Sequence, residues 1–216
     1  MKNLHIPQIM KILSKKFPAS TTTLNNMRGK TDAFKILISC LLSLRSRDET
    51  TEIISENLFK VADTPQKIID LPMTKLKKII FKTGHYNKKA EALKHVSREI
   101  KNKFKNKVPK THEELISIKH IGPKTANIVL AFAYNQNVIP VDTHVHRVPN
   151  RLGWVKTNLA EKTEHELVKI VPKKYWKKLN SIFVQFGRTI CVPISPKCSE
   201  CPIKKYCKRV NVKKSR

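Results

Sequence analysis

The sequence predicts an all-α protein of two helical lobes, and three observations carry that expectation. Strand-type alternation of apolar and polar residues is nearly absent, and helix-start signals recur along the chain. Gly29, Gly84, Gly122, Gly153 and Gly187 all fall at or near apparent helix ends or turns. Apolar spacing and caps together give about ten helices and no sheet. At 216 residues the chain can build one large domain or two small ones.

Each element has its own signal. The N-terminal stretch MKNLHIPQIMKILSKKF has no sustained apolar run and no small-residue cleavage site, so no signal peptide is expected. Residues 32 to 44 are apolar on nearly every side and predict the buried helix of one lobe, with Cys40 as core packing. Further starts are read at Asp63, Thr64 and Pro65, at Thr74, at Asn87, at Thr111 with Glu114, and at Asn158 with Glu161, the last two with capping-box spacing. The longest apolar stretch, residues 36 to 44, is too short for a bilayer span. An intracellular protein of cytoplasm or nucleoid, with reduced thiols, is therefore expected.

Charge sets the partner class. The chain has 44 Lys and Arg against 16 Asp and Glu, a net charge of +28, and the basic residues run from Lys2 to Arg216 rather than forming one tail. A solvated lysine-rich surface accounts for part of that excess but not for so few acids. A polyanion is implied, and nucleic acid is the leading candidate.

Residues 120 to 127 read HIGPKTAN and follow a capped amphipathic stretch, so two helices meet at a tight hairpin of about residues 112 to 134. Lys124 then lies in a first helical turn, where a cation is disfavoured by up to about 1 kcal/mol. Free amides at such a terminus suit a phosphate. Eighteen residues on, Asp142 is placed to cap another helix. An amine and a carboxylate together suit displacement of a base from a sugar carbon, with a Schiff base formed and developing positive charge stabilised.

Cys191, Cys198, Cys201 and Cys207 form a C-x6-C-x2-C-x5-C loop interrupted by Pro193, Pro196 and Pro202. Four thiols so close in a reducing compartment predict one metal centre rather than disulfides. Tetrathiolate zinc and a [4Fe-4S] cluster both use four thiolates, and spacing alone puts zinc first.

These motifs resemble the endonuclease III family of DNA glycosylases in the helix-hairpin-helix superfamily. The matching stretches are LeuLeuSerLeuArgSerArgAsp at 41 to 48, GlyHisTyrAsnLysLysAla at 84 to 90, IleGlyProLysThrAlaAsn at 121 to 127, ValAspThrHis at 141 to 144, and the cysteine loop. The resemblance implies a mostly six-helix lobe at 27 to 136 and a second lobe from residues 1 to 26 and 137 to 216, with DNA across the cleft between them. It implies a [4Fe-4S] cluster on the four cysteines, reversing the order read from spacing. It also implies Lys124 and Asp142 as catalytic residues, and a monomer that excises oxidised pyrimidines from double-stranded DNA and cuts abasic sites by β-elimination. DNA contacts are expected from Arg45, His85, Lys119, His120, Ile121, Gly122, His144 and Arg147.

Three positions depart from the family pattern. His120 stands where the hairpin's first glycine is usual, Arg45 where glutamine is common, and His85 where an apolar residue is common. Arg45 offers only donors, which match the paired acceptors of a guanine edge. It is expected to favour lesions opposite guanine over adenine; the alternative is a phosphate clamp. Two rival functions are a monofunctional glycosylase for mismatched thymine or adenine, against which a lysine at 124 argues, and a non-catalytic nucleic-acid-binding protein with a zinc loop.

Overall fold

The computed structural model describes residues 4–18, 32–44, 46 and 48–216; Arg45 lies outside the described residues. The chain divides into two compact units, one made of Met1–Asn25 and Asn137–Arg216, the other of Asn26–Gln136. Every regular element among the described residues is helical.

In the 26–136 unit, α2 (Ala33–Ser43) is the expected buried helix. Asp32 caps it by accepting the Phe34 amide at 3.0 Å, and Phe34, Ile36, Leu37, Ile38, Leu41 and Leu42 are buried. Each such side chain contributes about 1.5 to 3 kcal/mol of transfer energy. Cys40 is 2% exposed within it, and burial pushes its thiol up to about 12 against the pull of Lys124. That makes Cys40 a core thiol rather than a reactive one.

The elements α3 (Asp48–Val61), α4 (Pro65–Asp70), α5 (Met73–Ile80), α6 (Tyr86–Asn102), α7 (His112–Ser117) and α8 (Pro123–Phe132) follow. Thr64 caps α4 with Pro65 in its first turn, and Thr111 and Glu114 form the capping box of α7. The start expected at Thr74 falls inside α5, which begins after Pro72 without a side-chain cap. Likewise α6 begins after His85 in a left-handed conformation (φ 59°), before the expected Asn87. In both cases backbone geometry at the preceding residue starts the helix, and no hydroxyl or amide is needed.

Helix α6 carries two buried lysines on its core face. Lys94 is 7% exposed and donates to the carbonyls of Ile69 and Leu71 at the end of α4. A cation is favoured there because helix C-termini bear partial negative charge and unpaired carbonyls.

The other unit holds α1 (Ile6–Lys16), α9 (Thr143–Leu152), α10 (Ala160–Ile170), α11 (Lys173–Thr189) and a short 3-10 turn at Lys204–Tyr206. Helix α10 is preceded by Leu159 rather than capped by Asn158. Ile9, Leu13, Val145, Val148, Leu167, Phe183 and Phe186 form its core, and Trp154 Nε1 ties the N-terminal segment in by donating to Leu4 O at 3.0 Å. Gly153 ends α9 at φ 76°, the left-handed cap that favours glycine. Gly187 has a different reason: a Cβ there would stand 2.5 Å from His144 Nδ1.

Replacing Lys94 by Met should lower stability by roughly 1 to 3 kcal/mol, because two buried carbonyls lose a charged donor. The urea midpoint reports it; an unchanged midpoint would show that the α4 carbonyls do not depend on this lysine.

Candidate active site and cysteine centre

The hairpin between α7 and α8 is built by three residues. His120 adopts φ 78°, Ile121 is buried and donates its amide to Ile118 O at 3.0 Å, and Gly122 precedes α8 in extended backbone. The position where the family has glycine is therefore left-handed here, and histidine tolerates it at a cost of about 1 to 3 kcal/mol. Its ring packs edge-on against His95 at 5.5 Å between centroids. Lost hydration, then the like charges of His95 and Lys119, pull the imidazole below its usual value against the opposing effect of Glu91.

Gly122 is exposed, and a Cβ there would meet nothing within 4 Å, so the approach to the N-terminus of α8 is open. Lys119 is exposed on the same turn. Lys124 is half-buried in the first turn of α8, with no hydrogen-bond or ion-pair partner among the described residues. His85, in the same unit, is exposed and makes no capping bond.

In the other unit, Asp142 caps α9. Its Oδ1 accepts the amides of His144 at 2.9 Å and Val145 at 2.8 Å. Both bonds fall on one oxygen, which fixes the carboxylate and leaves Oδ2 without a partner among the described residues. One turn along, Arg147 donates to Cys191 O at 3.1 Å and Gly187 O at 2.9 Å, and its guanidinium lies 3.1 Å from His144 Nδ1. These bonds join α9 to the end of α11 and to the cysteine loop.

Arg151 was not foreseen as a site residue. It donates to Val192 O at 2.7 Å, to Pro193 O at 2.6 Å and to Cys191 Sγ at 3.4 Å. Its spacing of four from Arg147 on one helix was the available signal.

All four loop cysteines line one pocket, partly open to solvent, together with Val148, Leu152, Phe186, Ile190 and Ile203. Burial pushes Cys201 up to about 11 and raises Cys207, and the neighbouring sulfurs add to both shifts. Thiols raised as Cys201 and Cys207 are need positive charge nearby to ionise, which is what a metal centre provides. No three described His, Cys, Asp or Glu side chains converge tightly enough to chelate one ion.

A family model for HhH-GPD superfamily base excision DNA repair proteins matches residues 38–173, and one for the iron-sulfur binding domain of endonuclease III matches residues 191–207. An endonuclease III of Thermotoga maritima is 42% identical over 202 residues, covering 94% of this chain and 92% of the relative. The chain belongs to the endonuclease III family. An endonuclease III of Rickettsia felis is 34% identical, with 95% of each chain covered. Among solved structures, a trapped endonuclease III–DNA covalent intermediate superposes with a TM-score of 0.86 at 30% identity, covering 97% of both chains. A thermostable thymine-DNA glycosylase shares the fold at 24% identity and a TM-score of 0.78.

Endonuclease III membership makes the protein a base-excision repair DNA glycosylase and abasic-site lyase. It also corrects the order read from cysteine spacing: the endonuclease III centre is a [4Fe-4S] cluster, and the matched domain begins at Cys191 and ends at Cys207. Ligand spacing could not separate the two because both centres take four thiolates.

His120→Gly should raise the melting temperature, and more at acid pH than at neutral pH. With a folded value below the unfolded one, the neutral ring's contribution is complete above about pH 6.5 and is lost as pH falls through the folded value. Thermal melts of both proteins at pH 7.5 and 5.5, roughly one unit either side of that value, check it. A gain independent of pH would leave backbone strain alone as the cause.

Proposed function

We propose that Lys124 is the nucleophile and Asp142 the charge-stabilising carboxylate in excision of oxidised pyrimidines from double-stranded DNA. The observation that carries this reading is an unpaired amine in the first turn of α8, where helix stability gives no reason for a cation. A target base inside a duplex is out of reach, so it must first leave the stack. The Lys124 amine then bonds to C1′ as the bond from C1′ to the base breaks; the base departs with the electron pair and takes up a proton. The nitrogen gives up one proton, its lone pair breaks the C1′–O4′ bond to open the sugar ring, O4′ takes up a proton, and an iminium joins Lys124 to C1′. Loss of a proton from C2′ breaks the C3′–O bond, so the 3′ phosphate leaves and the strand is cut. Hydrolysis of the imine returns the amine.

Asp142 suits the complementary task. Its capping bonds hold one oxygen, and the other is available to face positive charge developing on the sugar and to pass protons. Lys119, His120, Ile121 and Gly122 offer a hairpin turn and an open helix terminus to a backbone phosphate, which positions the duplex without reading bases. We assign His144 a DNA contact and Arg147 the task of holding it, since that guanidinium is already committed to carbonyls. Cys191, Cys198, Cys201 and Cys207 would hold the cluster, which cross-links the loop from 191 to 207. No described helix is long and apolar enough to cross a membrane. A DNA substrate places the protein inside the cell.

Borohydride trapping on abasic-site DNA tests the nucleophile. Lys124→Gln should abolish the covalent adduct and strand cleavage while DNA affinity changes little, since one basic group among 44 is removed. Undiminished trapping would identify another amine; a wild type that never traps would restore the monofunctional reading. Asp142→Asn keeps a capping oxygen, so stability should change by less than about 1 kcal/mol while base release slows by about 100-fold or more. Single-turnover rates and melts measured side by side separate the two. For the cluster, the native protein should be yellow-brown with about four irons per chain, and Cys198→Ser should lose both colour and iron. A colourless native protein with one zinc would overturn the ligand assignment.

A further inference from the structure

Arg151 has no step in the reaction just described, and its side chain is directed at the cysteine loop. It stands in the last turn of α9, where a helix C-terminus favours a cation. Its bonds do not go to the carbonyls of that helix. Nη1 donates to Val192 O at 2.7 Å and to Cys191 Sγ and O, each at 3.4 Å, and Nη2 donates to Pro193 O at 2.6 Å. The main chain of the same residue meets the far end of the loop. Arg151 O accepts the Val210 amide at 3.1 Å and lies 3.5 Å from Cys207 Sγ. One residue thus touches the first and the last of the four cysteines, and the Arg209 amide adds a donor to Cys207 Sγ at 3.4 Å.

Carbonyls satisfy the hydrogens of a guanidinium but not its charge. Among the described residues no carboxylate pairs with Arg151. The residue is half-buried, so water compensates that charge only in part. Thiolates are the anions within reach. Four cysteinates around an iron-sulfur core leave a centre of net negative charge, whose potential answers to nearby charge, exposure and hydrogen bonds to the sulfurs. An arginine suits this place because its rigid fork grips successive backbone carbonyls and a sulfur together, whereas an ammonium is a point charge on a flexible stem.

We propose that Arg151 is a positioning residue for the iron-sulfur centre, clasping both ends of the loop from 191 to 207 and supplying positive charge at the Cys191 sulfur. This rests on the reading of the four cysteines as cluster ligands. The effect of Arg151 falls on retention of iron and on the potential of the centre. Partners of this kind, behind the ligands themselves, typically change metal affinity by about 10- to 100-fold when removed.

Arg151→Met and Arg151→Lys, each made as the holoprotein, test this with three measurements: the rate of iron loss to a chelator, the midpoint potential of the cluster, and the melting temperature. Arg151→Met should lose iron about tenfold faster or more, and its potential should become more negative, because a lost cation and a lost N–H···S bond both disfavour the reduced centre. Arg151→Lys keeps the charge without the fork, so its potential should stay near that of the wild type while iron is still lost faster. An unchanged potential in Arg151→Met, with iron loss rising only as the melting temperature falls, would reduce Arg151 to a folding residue and overturn the proposal; so would unchanged iron loss. Should Arg151→Met take up no cluster, Arg151→Lys decides: faster iron loss at an unchanged melting temperature supports the clasp, and loss that tracks melting overturns it. A native protein without iron would instead overturn the ligand assignment.

Discussion

An α-helix leaves its last carbonyls without partners, and inside a protein those groups must find donors. In this chain cations supply them. Lys89 reaches the end of α2, Lys94 the end of α4, and Arg147 the carbonyls of Gly187 and Cys191 at the end of α11. Salt bridges found among the described residues, such as Lys67 with Asp63 and Lys169 with Glu166, are surface pairs of small energetic weight. Carbonyls rather than carboxylates therefore hold the interior cations. A chain with only 16 acidic residues can be built this way, and few carboxylates are left to compete with phosphate for its basic surface.

The same constraint at the other helix end organises the chemistry. Asp142 meets the amides opening α9, so its carboxylate is fixed by the group that stabilises the helix. The start of α8 is treated in the opposite way. Pro123 removes one amide, Gly122 leaves the approach open, and Lys124 occupies a turn where a carboxylate would be favoured. One terminus is closed by an acid and the other is left open. That contrast made both residues conspicuous in the sequence, since local rules assign the aspartate a role and deny one to the lysine.

Legibility followed from whether a signal was local. The buried α2, the Thr64 and Thr111 caps and the hairpin could be read because their partners lie within a few residues. Starts placed at Thr74, Asn87 and Asn158 were misplaced by one or two residues, since Pro72, His85 and Leu159 begin those helices through backbone conformation. Lys89 and Arg151 were missed for a different reason. Their partners, at Leu42 and Ser46 and at Val192 and Pro193, are some 40 residues away, and a lysine on a helix reads as solvated until those carbonyls arrive. The cluster was half legible: the four thiols announced a metal, but their spacing serves zinc and iron-sulfur alike.

Histidine at the turns extends the argument from helix ends to strain. His85 before α6 and His120 in the α7–α8 hairpin both have positive φ, at 59° and 78°. Glycine would relax both positions, and histidine is kept at a cost of about 1 to 3 kcal/mol each. A glycine presents no side chain, whereas a strained histidine gives a turn an imidazole whose direction the backbone sets. At His85 that ring is exposed and makes no capping bond; at His120 it packs edge-on against His95. Strain kept at two turns of the same unit is not a folding need, since glycine would serve folding better at both.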